Sequence, residues 1–413
     1  MKNIVILGGG ASGMAAAIAA AEQADSKAKV ILLEQNNRVG KKLLATGNGR
    51  CNLDNQVIAP ECYFSSDRKT MAKMLDCIAD ADPLGWFEQH GLLHRADEAG
   101  RIYPYSNQAA DVLNLLLHQM EKNQVEIRTE SAVSAISAHK NGYRITLADG
   151  QTLTADAVIC AMGGSAGPQF GTDGFGIQLA QELGLEVQPL YPCLVPLKCK
   201  KSQISGLSGI RVKADATLCD GGRPIRTETG EIQFTDYGLS GIAIMQLSGM
   251  MKPNRLRRPE IYLDLFPQLS EKELLTLLHR HKRALGSANA AAFMTGLINR
   301  KVGLAVWKSL GLGDEKRSTA TLDKEEWQAL ACGLKNWRFT ELENTGWKNA
   351  QTTGGGISLS LLESGSFQLK AYPGLYFVGE TVDCAGSCGG YNLHWAFGSG
   401  ILAGRHAANL INP

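Results

Sequence analysis

The chain has 413 residues, 44% hydrophobic and 20% charged, which is enough apolar material for a large core spread over two or three domains. Lys and Arg number 42 against 40 Asp and Glu, and this net charge of +2 argues against nucleic-acid binding as the main task. The ten cysteines are scattered and no export signal precedes them, so reduced thiols and a cytoplasmic location are expected.

Residues 4–7 and 30–33 are short apolar runs that read as strands. Between them stand Gly8-Gly9-Gly10-Ala11-Ser12-Gly13 and an Ala-rich helical stretch, and Glu34 follows directly. This is a Gly-x-Gly-x-x-Gly turn inside one βαβ length: Gly8 permits the tight turn, Gly10 admits a pyrophosphate, and Gly13 lets helix and strand approach. The helix start offers free N–H groups and a positive dipole end to phosphates, and Glu34 suits a ribose hydroxyl. Lys2 and the run Ala19-Ala20-Ala21 look superficially like a secretory leader, but three consecutive glycines break such a helix. No other apolar run reaches the roughly 18 residues of a membrane span, so no integral membrane segment is expected.

A long loop is expected from 36 to 52, with Arg38, Lys41, Lys42 and the run Thr46-Gly47-Asn48-Gly49-Arg50-Cys51-Asn52; its glycines and cations favour ligand contact. The spacing of Met71, Met74, Leu75 and Ile78 predicts a helix from near Asp67. A polar-tipped excursion around Gly100 follows, then a helix over 109–122 and short strands at 125–128, 132–137 and 143–147, with a turn at Asp149-Gly150. Residues 157–161 form a buried strand running into Met162-Gly163-Gly164, and 172–184 a helix. Cys77, Cys160 and Cys219 fall in apolar segments and are expected to be buried.

From about 190 the texture changes. Alternation near 209–218 and 224–234 suggests an antiparallel or barrel-like unit, and 270–310 is helical. The basic runs at 252–258 and 279–283 read as solvated faces. A helix near 323–333 and an extended stretch at 335–339 lead to Thr353-Gly354-Gly355-Gly356, which reads as a glycine turn. Residues 375–378 form a buried strand ending in Gly379-Glu380, and Gly389-Gly390-Tyr391-Asn392 opens a helix to about 409, again aiming N–H groups at an electron-rich ligand. Gly398-x-Gly400-x-x-Ala403 follows no strand and reads as helix packing.

Gly8–Gly13 with Glu34, Ala161-Met162-Gly163-Gly164 after a strand, and the late Gly379-Glu380 form, in this order, three signatures that resemble flavoproteins with two dinucleotide-binding domains. Gly40-Lys41-Lys42-Leu43-Leu44, Gly47-x-Gly49-Arg50-Cys51-Asn52 and Gly389-Gly390-Tyr391-Asn392-Leu393 with Trp395-Ala396 resemble one subgroup more closely. This is the BaiN/RdsA family of NAD(P)/FAD-dependent oxidoreductases, also called the aminoacetone oxidase family. Met162, where a small hydroxyl is usual, and Asn48, where glycine often repeats, depart from its pattern.

The resemblance implies an α/β fold. A Rossmann-like FAD-binding domain, a parallel sheet with helices plus a small antiparallel sheet, is built from 1–189 and 351–413. The insert comprises a barrel-like substrate domain (190–269 and 318–350) and a helical part (270–317). It also implies the FAD contacts: Gly10, Ala11 and Gly13 at the pyrophosphate, Glu34 at the adenosine ribose, and the Val133 backbone at the adenine, with Gly8, Ser12 and Gln35 as further cofactor-binding positions. Glu380 is placed at the ribitol or the pyrophosphate, Lys42, Gly49, Arg50 and Asn52 along the flavin, and the Tyr391 and Asn392 amides at its pyrimidine edge; Cys51, Ala161, Gly163, Gly379 and Gly390 are further cofactor-binding positions.

The catalytic residues are unassigned, with Arg50, Tyr391 and His394 as candidates. Arg50 suits a phosphate better than an anionic substrate, and His394 suits packing better than proton transfer. Cys384 and Cys388 are a remote candidate for a redox pair, and no metal-ligand spacing is present. With no second Rossmann fingerprint, NADH or NADPH is expected only as a transient partner. The expected function is an FAD-dependent oxidoreductase of the C=C reductase kind, acting on a small or medium organic molecule. An amine oxidase and a flavin-based redox sensor are the alternatives, and the oligomeric state is open.

Overall fold

The computed structural model describes residues 2–140 and 142–411. Two compact units emerge, residues 1–193 with 347–413, and Leu194–Gly346.

In the first unit five strands form a parallel sheet in the order Leu375–Phe377, Ala157–Cys160, Lys2–Leu7, Ala28–Leu33, Glu126–Arg128. Its centre is apolar on both faces, as a sheet covered by helices requires. Ile4 and Ile6 are fully buried, and each such side chain contributes on the order of 2 kcal/mol. The helix Ala11–Ala24 lies against the helix Tyr391–Ile411, and their small residues set the distance. A Cβ added at Gly404 would stand 2.3 Å from the Ala16 carbonyl oxygen, and one at Gly400 2.3 Å from that of Ser12. Gly400 thus serves helix packing, as its position inside a helix suggested.

Other local signals also hold. Asp67 caps the helix Arg68–Ala81 by accepting from the Thr70 amide (3.0 Å). The helix Ala109–Lys122 and the ladder of Gly142–Leu147 with Thr152–Ala155 follow their predicted positions. Three expectations need correction. Residues 36–52 are not an unstructured loop, because left-handed Gly40 (φ 74) starts a short helix, Lys41–Ala45, followed by a 3-10 turn, Thr46–Asn48. The triple glycine is no turn; Thr352–Ile357 is a buried strand paired with Val187–Cys193, and glycine is needed because the Tyr191 ring would lie 2.2 Å from a Cβ on Gly354. Cys77 is only half-buried, although Cys160 and Cys219 are buried.

The second unit has its own core. Seven strands form one sheet in the order Trp337–Phe339, Pro259–Asp264, Arg211–Asp220, Arg223–Phe234, Gly238–Ser240, Leu197–Lys198, Glu343–Asn344. Among the described residues no ladder joins its first and last strands, so the sheet is open where a barrel-like form was expected. The helices Glu271–Leu285, Ala290–Met294, Arg300–Ser309 and Lys324–Lys335 share this core, with Leu278, Phe293 and Trp307 in one cluster with Ile261 and Phe339. The near-neutral total charge conceals a split: this unit has 23 Lys and Arg against 16 Asp and Glu, the first unit 19 against 24. Among the described residues no helix is long and apolar enough to cross a membrane.

Candidate cofactor groove and its surroundings

A groove in the first unit holds about 1300 Å³ of empty space, its open mouth included. The Gly8–Ser12 turn lies on its wall with Glu34, Gln35, Lys42, Val133, Ala161, Gly163, Glu380 and Asn392, so residues from both chain ends meet there.

The turn is shaped by close contacts. A Cβ at Gly13 would fall 1.9 Å from the Gly8 carbonyl oxygen, so glycine at 13 is demanded by the chain itself. Gly10 is different. Its backbone is extended (φ −82, ψ −172), and a Cβ there would meet nothing within 4 Å. The protein's own packing gives no reason for this glycine, but a ligand backbone lying against it does. No side chain caps the helix that starts at Ala11 and no acid lies in its first turn, so its N–H groups and positive end stay available to an anion.

Glu34 is held rather than free. Its Oε2 accepts from the Gly9 amide (2.8 Å), and its Oε1 from the Asn36 amide (2.8 Å) and side chain (2.6 Å). The remaining lone pairs can accept from a hydroxyl. The Ser131 amide donates to the Glu34 carbonyl (2.9 Å), which places the start of Val133–His139 beside it. Gln35 donates to the Gly171 carbonyl. Lys42 Nζ lies 2.7 Å from Glu380 Oε2, while Glu380 Oε1 accepts from the Thr353 amide (2.9 Å) and hydroxyl (2.7 Å).

Beyond the expected Gly163, residues 170–173 supply wall positions that the sequence did not reveal. Left-handed Gly167, Gly171 and Gly174 delay the helix to Phe175–Glu182, and Thr172 and Asp173 stay on the wall instead of entering it at 172. The dense glycines of that stretch were the available signal. Trp395 and Ala396 complete an apolar part of the wall, with Arg38 and Lys41 as further cations.

Gly13, Gly49, Arg50, Cys51, Asn52, Gly379, Gly390, Tyr391 and His394 are not on the wall of this groove. Several hold the C-terminal helix start in place. With the Asn52 side-chain amide oriented so that its oxygen faces a donor and its nitrogen faces acceptors, Oδ1 accepts from the Gly390 amide (3.0 Å) and the nitrogen donates to the Asp54 and Ile102 carbonyls (3.1 Å each). Asn392, itself on the groove wall, exchanges two hydrogen bonds of 2.8 Å with Gly386 through its side chain. Gly379 sits beside Ser12 and donates its amide to the Ser399 hydroxyl (3.0 Å).

His394 Nδ1 meets Asp54 Oδ2 at 3.0 Å, with both side chains buried, and among the described residues its Nε2 has no partner. Burial and the neighbouring Cys62 push the Tyr391 phenol up. Burial pushes the Cys51 thiol up to about 12, against a lowering hydrogen bond from Thr46, so it is no thiolate nucleophile at neutral pH. Burial and then Asp383 raise Cys384 well above the ordinary thiol range, which disfavours thiolate chemistry with the half-buried Cys388.

These residues fit FAD: a groove lined from both chain ends, a glycine left open for a ligand, an uncapped helix start, cations on the same wall, and an apolar part. Comparisons with known proteins agree in extent. A family model described as the HI0933-like protein Rossmann domain matches residues 2–406. The 3-dehydro-bile acid delta(4,6)-reductase of Clostridium scindens is 36% identical over 412 residues, covering 99% of each chain. The ribosomal RNA dihydrouridine synthase of Escherichia coli is 28% identical over 405 residues, covering 96% of each. Among solved structures, 3-ketosteroid-delta4-(5alpha)-dehydrogenase from Rhodococcus jostii is 16% identical, covers 98% of this chain and 97% of its own, and gives a TM-score of 0.48.

Proposed function

This chain belongs to the HI0933-like Rossmann family and is an FAD-dependent oxidoreductase, and from that premise we propose that it reduces a polarised C=C bond in an organic substrate. The observation that carries the cofactor assignment is the open space at Gly10 beside an uncapped helix start. The reaction class is supported by the two relatives. One name describes a delta(4,6)-reductase and the other the formation of dihydrouridine, and both chemistries add two hydrogens to a ring C=C.

FAD, when bound, supplies the two-electron transfer. The protein's part is binding and electrostatics. The helix start at Ala11 and the wall cations Arg38 and Lys41 would balance the pyrophosphate charge, and Glu34 would accept from the ribose. The first turn of Tyr391–Ile411, which reaches the wall at Asn392, presents a positive helix end that would favour negative charge on a cofactor held there. Arg50, Tyr391 and His394 remain outside the groove wall, so none is given an acid–base role. Reduction by NADH or NADPH is proposed as a transient docking, since the chain has no second strand–Gly-x-Gly-x-x-Gly–helix unit.

A second reading places the C=C in a uracil ring of RNA. It is supported by the 28% identical relative and by the excess of seven positive charges in the Leu194–Gly346 unit. Anaerobic mixing of the holoenzyme with NADH or NADPH tests the reductase reading. Rapid bleaching of the visible flavin band supports it; bleaching by amines alone would favour an oxidase, and bleaching by neither a redox sensor.

A further inference from the structure

The three-stranded sheet of Asp54–Asn55, Arg101–Pro104 and His94–Ala96 presents a face that the cofactor groove does not use. Arg95 stands opposite Tyr103, and the Tyr105 amide donates to the Leu93 carbonyl (2.8 Å). Strand alternation therefore puts Leu93, Arg95, Arg101, Tyr103 and Tyr105 on one side. The Arg50 guanidinium lies over the Tyr103 ring at 4.7 Å, and that of Arg95 over Tyr105 at 5.0 Å. A guanidinium stacked on a ring is held in place while keeping N–H edges for a partner.

Those edges lack a carboxylate. Arg50 donates through Nε to the Gly47 carbonyl (3.1 Å), and among the described residues neither Arg50 nor Arg95 forms an ion pair. Asp97 is committed to Arg101 at 2.7 Å. Beside Arg95 lies uncovered apolar surface, with Tyr105 61% and Leu93 74% exposed. The sheet is continuous with the start of the C-terminal helix, because Asn55, paired with Arg101, donates from Nδ2 to the Gly389 carbonyl (2.8 Å).

We propose that this face binds a flat unsaturated ring bearing an anionic group, carboxylate or phosphate, as the part of the substrate that lies outside the cofactor groove. The ring lies against Tyr105 and Leu93, and the anion takes the free edges of Arg50 and Arg95. The inference rests on the reductase reading for making that ligand the substrate, but its test needs no turnover.

Calorimetric titration of the holoenzyme with two matched pairs, 2-naphthoate against 2-naphthamide and uridine monophosphate against uridine, reads it directly. The anionic member of at least one pair is expected to bind about tenfold or more tighter. In Arg95→Ala that preference falls to about twofold or less with flavin content unchanged, and Arg95→Lys restores part of it. Preference in the naphthoate pair alone identifies a small carboxylate, and in the uridine pair alone a nucleotide. No anion preference in either pair, or a preference that survives Arg95→Ala, overturns the proposal. An intact preference in an enzyme that reduces no C=C substrate would sink the reductase reading and leave the anion site standing.

Discussion

The Lys42 ammonium lies 2.7 Å from Glu380 Oε2, joining residues 338 positions apart on the wall of one groove. Lys42 also donates to the Ala166 carbonyl (3.0 Å), and Glu380 receives two bonds from Thr353. This carboxylate therefore ties three segments together. We expect Glu380→Gln to lower stability by about 1–3 kcal/mol, since the half-screened pair loses its charge while the Thr353 bonds partly persist. Flavin content should fall with it. Urea unfolding of holo and flavin-stripped protein gives both quantities, and an unchanged midpoint in each would refute the role.

Gly10 and Gly13 separate ligand space from packing space. Gly10→Ala should change the stability of the stripped protein by less than about 1 kcal/mol, because the added methyl meets nothing. It should weaken flavin binding about tenfold or more. Gly13→Ala should cost about 3 kcal/mol or more, because its methyl would overlap the Gly8 carbonyl oxygen. Equal effects of the two substitutions on the fold would contradict the division.

That contrast marks what the sequence can and cannot convey. The βαβ turn was legible because strand, glycine spacing and Glu34 sit within one short segment and obey local geometry. The caps and helix periodicity near Asp67 were legible for the same reason. Thr172 and Asp173 were missed because three left-handed glycines reset the helix start, which periodicity does not register. The strand at Thr352–Ile357 was read as a turn because its glycines answer to the Tyr191 ring, more than a hundred and fifty residues earlier in the chain. Pairings such as Lys42–Glu380 and Asp54–His394 have no local trace at all.

The buried Asp54–His394 contact predicts a stability effect. Asp54→Ala removes the acceptor of the His394 ring and of the Asn55 amide (2.7 Å), leaving buried polar groups unpaired. A loss of about 2–4 kcal/mol follows. Thermal or urea unfolding checks it, and a loss under about 0.5 kcal/mol would show the contact to be dispensable.

His90 predicts a pH dependence. A 2.6 Å bond from its Nε2 to Glu22 Oε1 raises its pKa, burial opposes, and the Trp86 carbonyl adds to the rise. A raised folded value means the protonated imidazole is favoured by folding. The added stability is complete below the unfolded value of about 6.5 and disappears as pH rises through the folded one. The melting-temperature gap between wild type and Glu22→Gln should thus be largest in mild acid and close above neutrality. A gap that widens with rising pH would reverse the assignment.

The reductase account meets its most direct test in the second half-reaction. Holoenzyme reduced anaerobically is mixed with a conjugated steroid enone, and separately with a uridine-containing RNA, while the visible flavin band is followed. The account predicts that the band returns without oxygen, with one saturated C–C product formed per flavin by mass spectrometry. A band that returns only when oxygen is admitted, with every unsaturated acceptor recovered intact, would contradict it.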